Sequence, residues 1–386
     1  MFQHWLPTTV RFAGIATVSL GLGLVGCSQE PVAQSDDAAA ETAAEEVAVE
    51  LPQVVATTSV ICDLTEQIAQ DTIALTCLMD PGQDPHTYQA KPSDRQAIDE
   101  ADLVLYDGYD FAPGLIGLVD ASSNSAPKVA VYEAAVPEPL MGAGHDHGHD
   151  HAEGEAHDHD HAEEEGHDHA EGEAHNHAEG EDHDHDHAEG EAHDHGEGEL
   201  VADPHIWHSA TNNAAITEVI ATNLAKVNPD QAEVYDQNAA ALTEQFTALD
   251  TWIQSQVDTI PASNRNLVTT HDAFRYYADA YGIAVKGALS GLSTEEQPSA
   301  ATLTGLVDQV KAAQVPAIFA ESTTNPDLIN TVASNAAVKV AEQPLFVEGP
   351  GGAGTAAETT QEMLVANTCT IVNALGGTCD EGDAPI

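Results

Sequence analysis

Apolar positions along this chain change period repeatedly, and each change marks an element. Val54-Val55-Ala56-Thr57-Thr58 is a short β-branched run that reads as a strand, and the spacing through Leu64 and Ile68 that follows reads as a helix. Ile73 to Met79 predicts a second strand, broken by Pro81-Gly82, with Asp84-Pro85-His86-Thr87-Tyr88 in the loop beyond. Pro92 to Glu100 predicts a helix with Pro in its first turn. Asp102 to Tyr106 and Val129 to Val131 predict two further strands. Strands alternating with helices predict an α/β fold with a parallel sheet.

From 142 to 200 the pattern stops. It returns as a helix over Ala210 to Lys226, with Asn228 placed to cap the next helix and Pro229 at its first position. Tyr235, Ala239, Leu242, Phe246, Leu249, Ile253 and Val257 recur at spacings of three and four. They give one apolar face of a helix of roughly 28 residues, about 42 Å long, which Pro261 ends. That is longer than one small domain needs and suits a connector running along two lobes.

The strand–helix rhythm then restarts. Leu267 to Thr270 predicts a strand, followed by His271 and a helix through Phe274 and Ala278. Pro298 to Ala313 predicts a helix, Ala317 to Ala320 a strand, and Pro326 to Ser334 a helix. Val338 to Val347 contains another strand, Gly349 to Gly354 is a loop, and Ala356 to Leu375 closes the chain as a helix. Two βα lobes are expected: 53–228, interrupted at 142–200, and 261–386, with the helix of 229–260 between them.

The interruption carries sixteen of the chain's 21 histidines: His145, His147, His149, His151, His157, His159, His161, His167, His169, His175, His177, His183, His185, His187, His193 and His195. They alternate with Asp, Glu, Gly and Ala, without a Leu, Ile, Val or aromatic residue among them. Such a segment cannot bury enough surface to offset the entropy of ordering, so a disordered insertion is expected. Neutral imidazole flanked by carboxylates collects transition-metal dications.

The formal charge is −55, and residues 145–199 hold 22 of the 65 acids, which leaves 43 acids against ten bases. Nucleic-acid binding is excluded as a reading, because phosphate recognition needs Lys and Arg. The N-terminus has a basic stretch ending at Arg11 and an apolar run from Phe12 to Gly26, short for a membrane span. Leu24-Val25-Gly26-Cys27 resembles a bacterial lipobox. The resemblance implies cleavage of a signal peptide at 1–26, lipidation of Cys27 and an extracytoplasmic location at a membrane; an ordinary signal peptide with an incidental Cys is the alternative. The stretch 27–52, rich in Ala, Glu and Asp without a core pattern, reads as a flexible tether. The other cysteines are Cys62, Cys77, Cys369 and Cys379, which allow three pairings. The local ones, Cys62–Cys77 and Cys369–Cys379, are preferred, and no CxxC spacing favours metal binding by these thiols.

Three histidines outside the insertion sit in matching contexts. His86 follows Asp84-Pro85 after a strand, His205 follows Asp203-Pro204, and His271 follows the strand ending at Thr270. In α/β sheets the crevice beyond the strand C-termini is where ligands bind, so the three imidazoles are candidates to converge on one ion.

With these residues in view, the chain resembles the solute-binding proteins of zinc-uptake ABC transporters, within a wider group that also binds manganese. The resemblance rests on Val55-Ala56-Thr57-Thr58-Ser59, Asp84 to Tyr88, Pro92-Ser93-Asp94, Asp203-Pro204-His205-Ile206-Trp207 and Thr270-His271-Asp272-Ala273-Phe274. Asn228-Pro229 with Tyr235 and Asn238 also fits. The resemblance implies two βα lobes joined by a long backbone helix, with metal in the cleft between them. By position His86 and His205 are ligands from the first lobe and His271 one from the second. A carboxylate is common at the third position in manganese-binding relatives, so His271 favours Zn²⁺.

Glu348 stands where the family often has Asp. It either reaches the ion, acts through water, or leaves the site to three histidines and solvent. His208 replaces an apolar residue common in relatives, and is expected either to face solvent or to extend the insertion's reach into the cleft. Glu321 is expected to be structural, and Asp203 to orient a ligand.

The resulting expectation is a monomeric, lipid-anchored receptor that delivers Zn²⁺ to an ABC permease driven by a cytoplasmic ATPase. The His-rich insertion would collect, store or sense zinc. A metal store or chaperone without a transporter, and a receptor for manganese, nickel or copper, are the alternatives. A zinc hydrolase ranks low, because no general base or substrate-pocket motif accompanies the histidines.

Overall fold

The computed structural model describes residues 50–143, 200–295 and 298–386. Cys27, the signal segment and His145 to His195 lie outside the described residues.

The first half builds β1 (Gln53–Ala56), α1 (Ser59–Ala69), β2 (Ala74–Cys77), α2 (Pro92–Glu100), β3 (Leu103–Tyr106), α3 (Pro113–Ala121), β4 (Lys128–Ala130) and α4 (Val131–Ala135). Its strands form a parallel sheet in the order β2-β1-β3-β4. Val54, Ala56, Leu103 and Leu105 are fully buried, as expected of strands covered on both faces. β4 stops at Ala130 and Val131 already starts a helix, which shortens the predicted fourth strand. β2 likewise keeps only the middle of the predicted Ile73–Met79 run, because its pairing with β1 ends at Cys77.

β5 (Met141–Ala143) and β6 (Leu200–Ala202) follow, paired antiparallel. The non-periodic segment therefore begins and ends on a short ladder. Gly142, Ala143 and Leu200 belong to strands, where sequence had assigned them to a disordered stretch.

α5 (Ala210–Val227) and α6 (Ala232–Val257) pack against each other. α6 has 26 residues, about 39 Å at the usual rise. It buries the predicted face and also Trp252. Pro229–Gln231 is a separate 3₁₀ turn rather than the first turn of α6. Asn228 does not cap it: its amide donates to the Thr72 carbonyl (3.1 Å) and the Tyr235 hydroxyl (3.1 Å), tying this corner to the end of α1.

The second half adds β7 (Asn266–His271), α7 (Arg275–Tyr281), β8 (Ala284–Ser290), α8 (Ala300–Ala313), β9 (Ala317–Ile318), α9 (Asp327–Ala336), β10 (Lys339–Val340) and α10 (Thr360–Ala374). β7 pairs β8 and β9 pairs β10, both parallel. A hydrogen bond from Phe319 N to the Val268 carbonyl (3.0 Å) sets the two pairs side by side. β9 and β10 are shorter than predicted, and Glu321 and Leu345 extend them only as an isolated bridge.

α6 contacts α1 of the first half and α10 of the second, and a single apolar core runs through all three. It is the helical backbone on which both sheets are hung. The Asp63 carboxylate in α1 also accepts from Thr360 N (2.8 Å) and Thr360 Oγ1 (2.6 Å) at the start of α10. Disulfides join Cys62 to Cys77 and Cys369 to Cys379, the local pairing. Among the described residues no helix is long and apolar enough to cross a membrane.

The Cys62–Cys77 bridge closes a loop with a sequence separation of 15. Replacing both cysteines by Ser is expected to lower the unfolding free energy by about 3 kcal/mol, read from the midpoint of urea denaturation.

Candidate metal site

Each candidate ligand sits at the end of a strand or bridge or in the loop that follows one. His86 lies in the loop after β2, with its backbone N–H donating to Asp84 Oδ1 (3.0 Å). His205 follows β6 and Asp203, and opens the 3₁₀ turn Ile206–His208. His271 is the last residue of β7. Glu348 lies three residues past Leu345, which bridges to Glu321 beyond β9. Gly349 follows it at φ +133°, where a Cβ would collide with Ser59 Oγ. Only glycine lets the Glu348 loop close onto α1.

The four side chains meet. His86 Nε2 is 3.3 Å from His205 Nε2, which is 3.3 Å from His271 Nε2. Glu348 Oε1 is 3.4 Å from His271 Nε2, and Oε2 is 4.0 Å from His86 Nε2. One ligand atom from each of the four lies within 4.8 Å of every other. All four residues are buried. Donors at the ~2.0–2.1 Å typical of zinc stand about 3.3–3.4 Å apart along the edges of a tetrahedron. Three of the contacts have that length.

Outer hydrogen bonds aim the imidazoles. Asp203 Oδ1 accepts from His205 Nδ1 (2.9 Å) and from its backbone N–H (3.0 Å). Glu321 does the same for His271, with Oε2 accepting from Nδ1 (2.8 Å) and Oε1 from the backbone N–H (2.8 Å). A proton held on Nδ1 leaves the Nε2 lone pair pointing inward, the form that ligates a cation. Glu321, expected to be structural, thus touches a candidate ligand directly. Its position at a strand end, like those of the histidines, was the signal available in sequence.

Aromatic rings close the other side. Phe111 stands edge-on to His86 (5.2 Å between centroids) and packs on Trp207 (4.6 Å). It is placed by Gly108, Tyr109 and Asp110, three successive residues with positive φ. A Cβ at Gly108 (φ +90°) would meet Glu133 Cγ at 2.8 Å. The only signals for this wall in sequence are Gly108 and, more weakly, Asp110. His208 is another departure: it is fully buried rather than solvent-facing, stacked on Phe274.

Electrostatics follow from burial. Burial pushes His271 down, but the charge and hydrogen bond of Glu321, with Glu348 and Asp84, outweigh it and raise the pKa. Burial raises Glu348, against the pull of His271, with Asp84 and Glu321 adding to the rise. His205 is held well below the ordinary value by burial and then by His271. Burial pushes Asp203 up to about 7, against the His205 N–H and Arg275. The Glu348 oxygens make no hydrogen bond among the described residues, and a buried carboxylate left so is stabilised by a cation.

The chain matches, over residues 54–374, the family described as "Zinc-uptake complex component A periplasmic". It is 29% identical over 378 residues to the manganese-binding lipoprotein MntA of Bacillus subtilis strain 168, covering 97% of this chain and 99% of that one. It is 28% identical over 328 residues to the zinc-binding protein TroA of Treponema pallidum, covering 84% and 89%. The solved structure of the periplasmic zinc-binding protein TroA from Treponema pallidum superimposes with a TM-score of 0.66 at 27% identity, covering 84% of this chain and 99% of that one. The chain is thus a substrate-binding component of a metal ABC transporter, working with a permease and an ATPase, and not an enzyme. It belongs to the zinc-uptake complex component A family.

Proposed function

We propose that the cargo is Zn²⁺, held by His86, His205, His271 and Glu348 and surrendered to the permease when the cleft opens. The observation that carries this reading is the donor set. Three imidazole nitrogens and one carboxylate converge in a buried cluster, three of whose separations match the edge of a zinc tetrahedron. Imidazole-rich sites suit zinc, whereas manganese prefers oxygen. Relatives named for manganese and for zinc have similar identity to this chain, so the distinction rests on the side chains.

The His-rich segment, in this reading, gathers zinc near the cleft. Support comes from the β5–β6 ladder, which returns the segment's far end to within a few residues of His205. The signal-like N-terminus and Cys27 support export and a lipid anchor, with 27–52 as tether. A manganese receptor is the second reading, favoured by the names of several relatives.

Competitive titration with zinc and manganese separates these readings. With and without residues 144–199, the protein is expected to keep one tight zinc site and to bind manganese at least about 100-fold more weakly. Preference for manganese, or loss of tight zinc binding on deletion, would overturn the zinc reading. Glu321→Gln is expected to weaken zinc roughly 10–100-fold, and His86→Ala more, in the same titration.

Zinc must displace protons. His271 is raised above its ordinary pKa and Glu348 above its own, so the pair retains at least one proton at neutral pH. Ligation requires both deprotonated, so zinc affinity rises with pH through the neutral range and falls as the pair becomes protonated. Calorimetry in buffers of different ionisation enthalpy is expected to show at least one proton released per zinc at pH 7; release of none would contradict this.

A further inference from the structure

The β5–β6 ladder, from which the His-rich segment departs, ends on a rung that is completed from the other half of the molecule. Beyond the paired Met141 and Ala202, the Asp203 N–H donates to the Leu140 carbonyl (2.8 Å). An antiparallel rung of this kind is normally closed by a second bond running back. Here the Leu140 N–H donates instead to the Tyr276 hydroxyl (2.9 Å), and that hydroxyl donates to the Asp203 carbonyl (3.2 Å). One buried O–H from α7 thus stands inside the rung, both accepting and donating.

Asp203 is the residue through which this reaches the ligands. It is fully buried, and its Oδ1 accepts from both His205 Nδ1 and the His205 N–H, so a shift of its backbone moves the acceptor behind a candidate ligand. On the far side of the rung the ladder has little to hold it. It has three pairs, its Met141, Leu200 and Val201 are exposed, and two strands alone are marginal in water. Its strands are joined through residues 144–199, and closing so long a connection costs more entropy than closing a two-residue hairpin turn. The contacts that oppose this come from the second half. They are Tyr276 at the rung, and Leu292 and Arg275 beside Gly142, where a Cβ would meet them at 2.6 and 2.7 Å.

We propose that Tyr276 is a positioning residue of the metal site: its hydroxyl locks the last rung, holds Asp203 behind His205, and keeps the ligand's geometry independent of the segment beyond the ladder. The inference rests on the cluster being the zinc site. A plain packing role belongs to the Tyr276 ring, which Phe retains. The hydroxyl matters most where the long connection works against the rung.

The test is a double-mutant cycle read by competition of zinc with a chelator, at less than one equivalent of zinc. Tyr276→Phe and the unchanged protein are each measured as the full chain and with Asn-Gly in place of residues 144–199. Urea unfolding of the metal-free proteins verifies that they fold. Tyr276→Phe is expected to weaken zinc roughly 10-fold in the full chain. With the Asn-Gly turn, which closes the ladder from its other end, the loss is expected to stay below about 3-fold. Equal loss in both forms, as a packing role predicts, or no loss in the full chain, would overturn the proposal. If His86→Ala leaves tight zinc binding intact, the site assignment itself fails; if it abolishes binding and the two Tyr276→Phe losses are equal, only the positioning role fails.

Discussion

Everything in the cleft depends on holding three imidazole nitrogens and a carboxylate within contact of one another in a place that water does not reach. Left to themselves, inward-facing lone pairs repel, and a buried carboxylate draws a proton. Outward hydrogen bonds from His205 to Asp203 and from His271 to Glu321 hold two of the rings in the ligating tautomer. A dication satisfies all four groups at once. Without it, the raised pKa values of His271 and Glu348 leave a proton in the cluster at neutral pH, which couples metal capture to pH.

The rest of the fold serves this convergence. His86 lies in the loop after β2, His271 ends β7, His205 follows β6, and Glu348 follows the bridge at Leu345. α6 contributes no candidate ligand. It supplies a common core for α1 and α10, so the two sheets share one rigid rail. Contacts across the cleft are of two kinds. Asp63 with Thr360 lies beside that rail, whereas Trp207, His208, Phe274 and Val347 lie at the ligands themselves.

Much of this was legible in the chain because it is local. The apolar face of α6, the strand–helix alternation, and histidines at strand ends need only nearest-neighbour rules, and so do disulfides between cysteines close in sequence. What was not legible depends on distant partners. The Phe111 wall arises from a run of positive φ over Gly108, Tyr109 and Asp110, of which only the glycine, and more weakly the aspartate, favours that conformation in sequence. Glu321 acquires its role from a histidine 50 positions away. His208 was expected to face solvent or to reach into the cleft, yet tertiary packing buries it in a stack on Phe274. Asn228 likewise reads as a cap but is claimed by Thr72 and Tyr235. In each case long-range contact overrode a local preference.

The most direct test of the cluster is anomalous diffraction at the zinc edge from crystals grown with one equivalent of zinc. The account predicts a peak enclosed by His86 Nε2, His205 Nε2, His271 Nε2 and Glu348, with bonds of about 2.0–2.2 Å. A fully occupied zinc found elsewhere, with these four side chains still facing one another unligated, would contradict it.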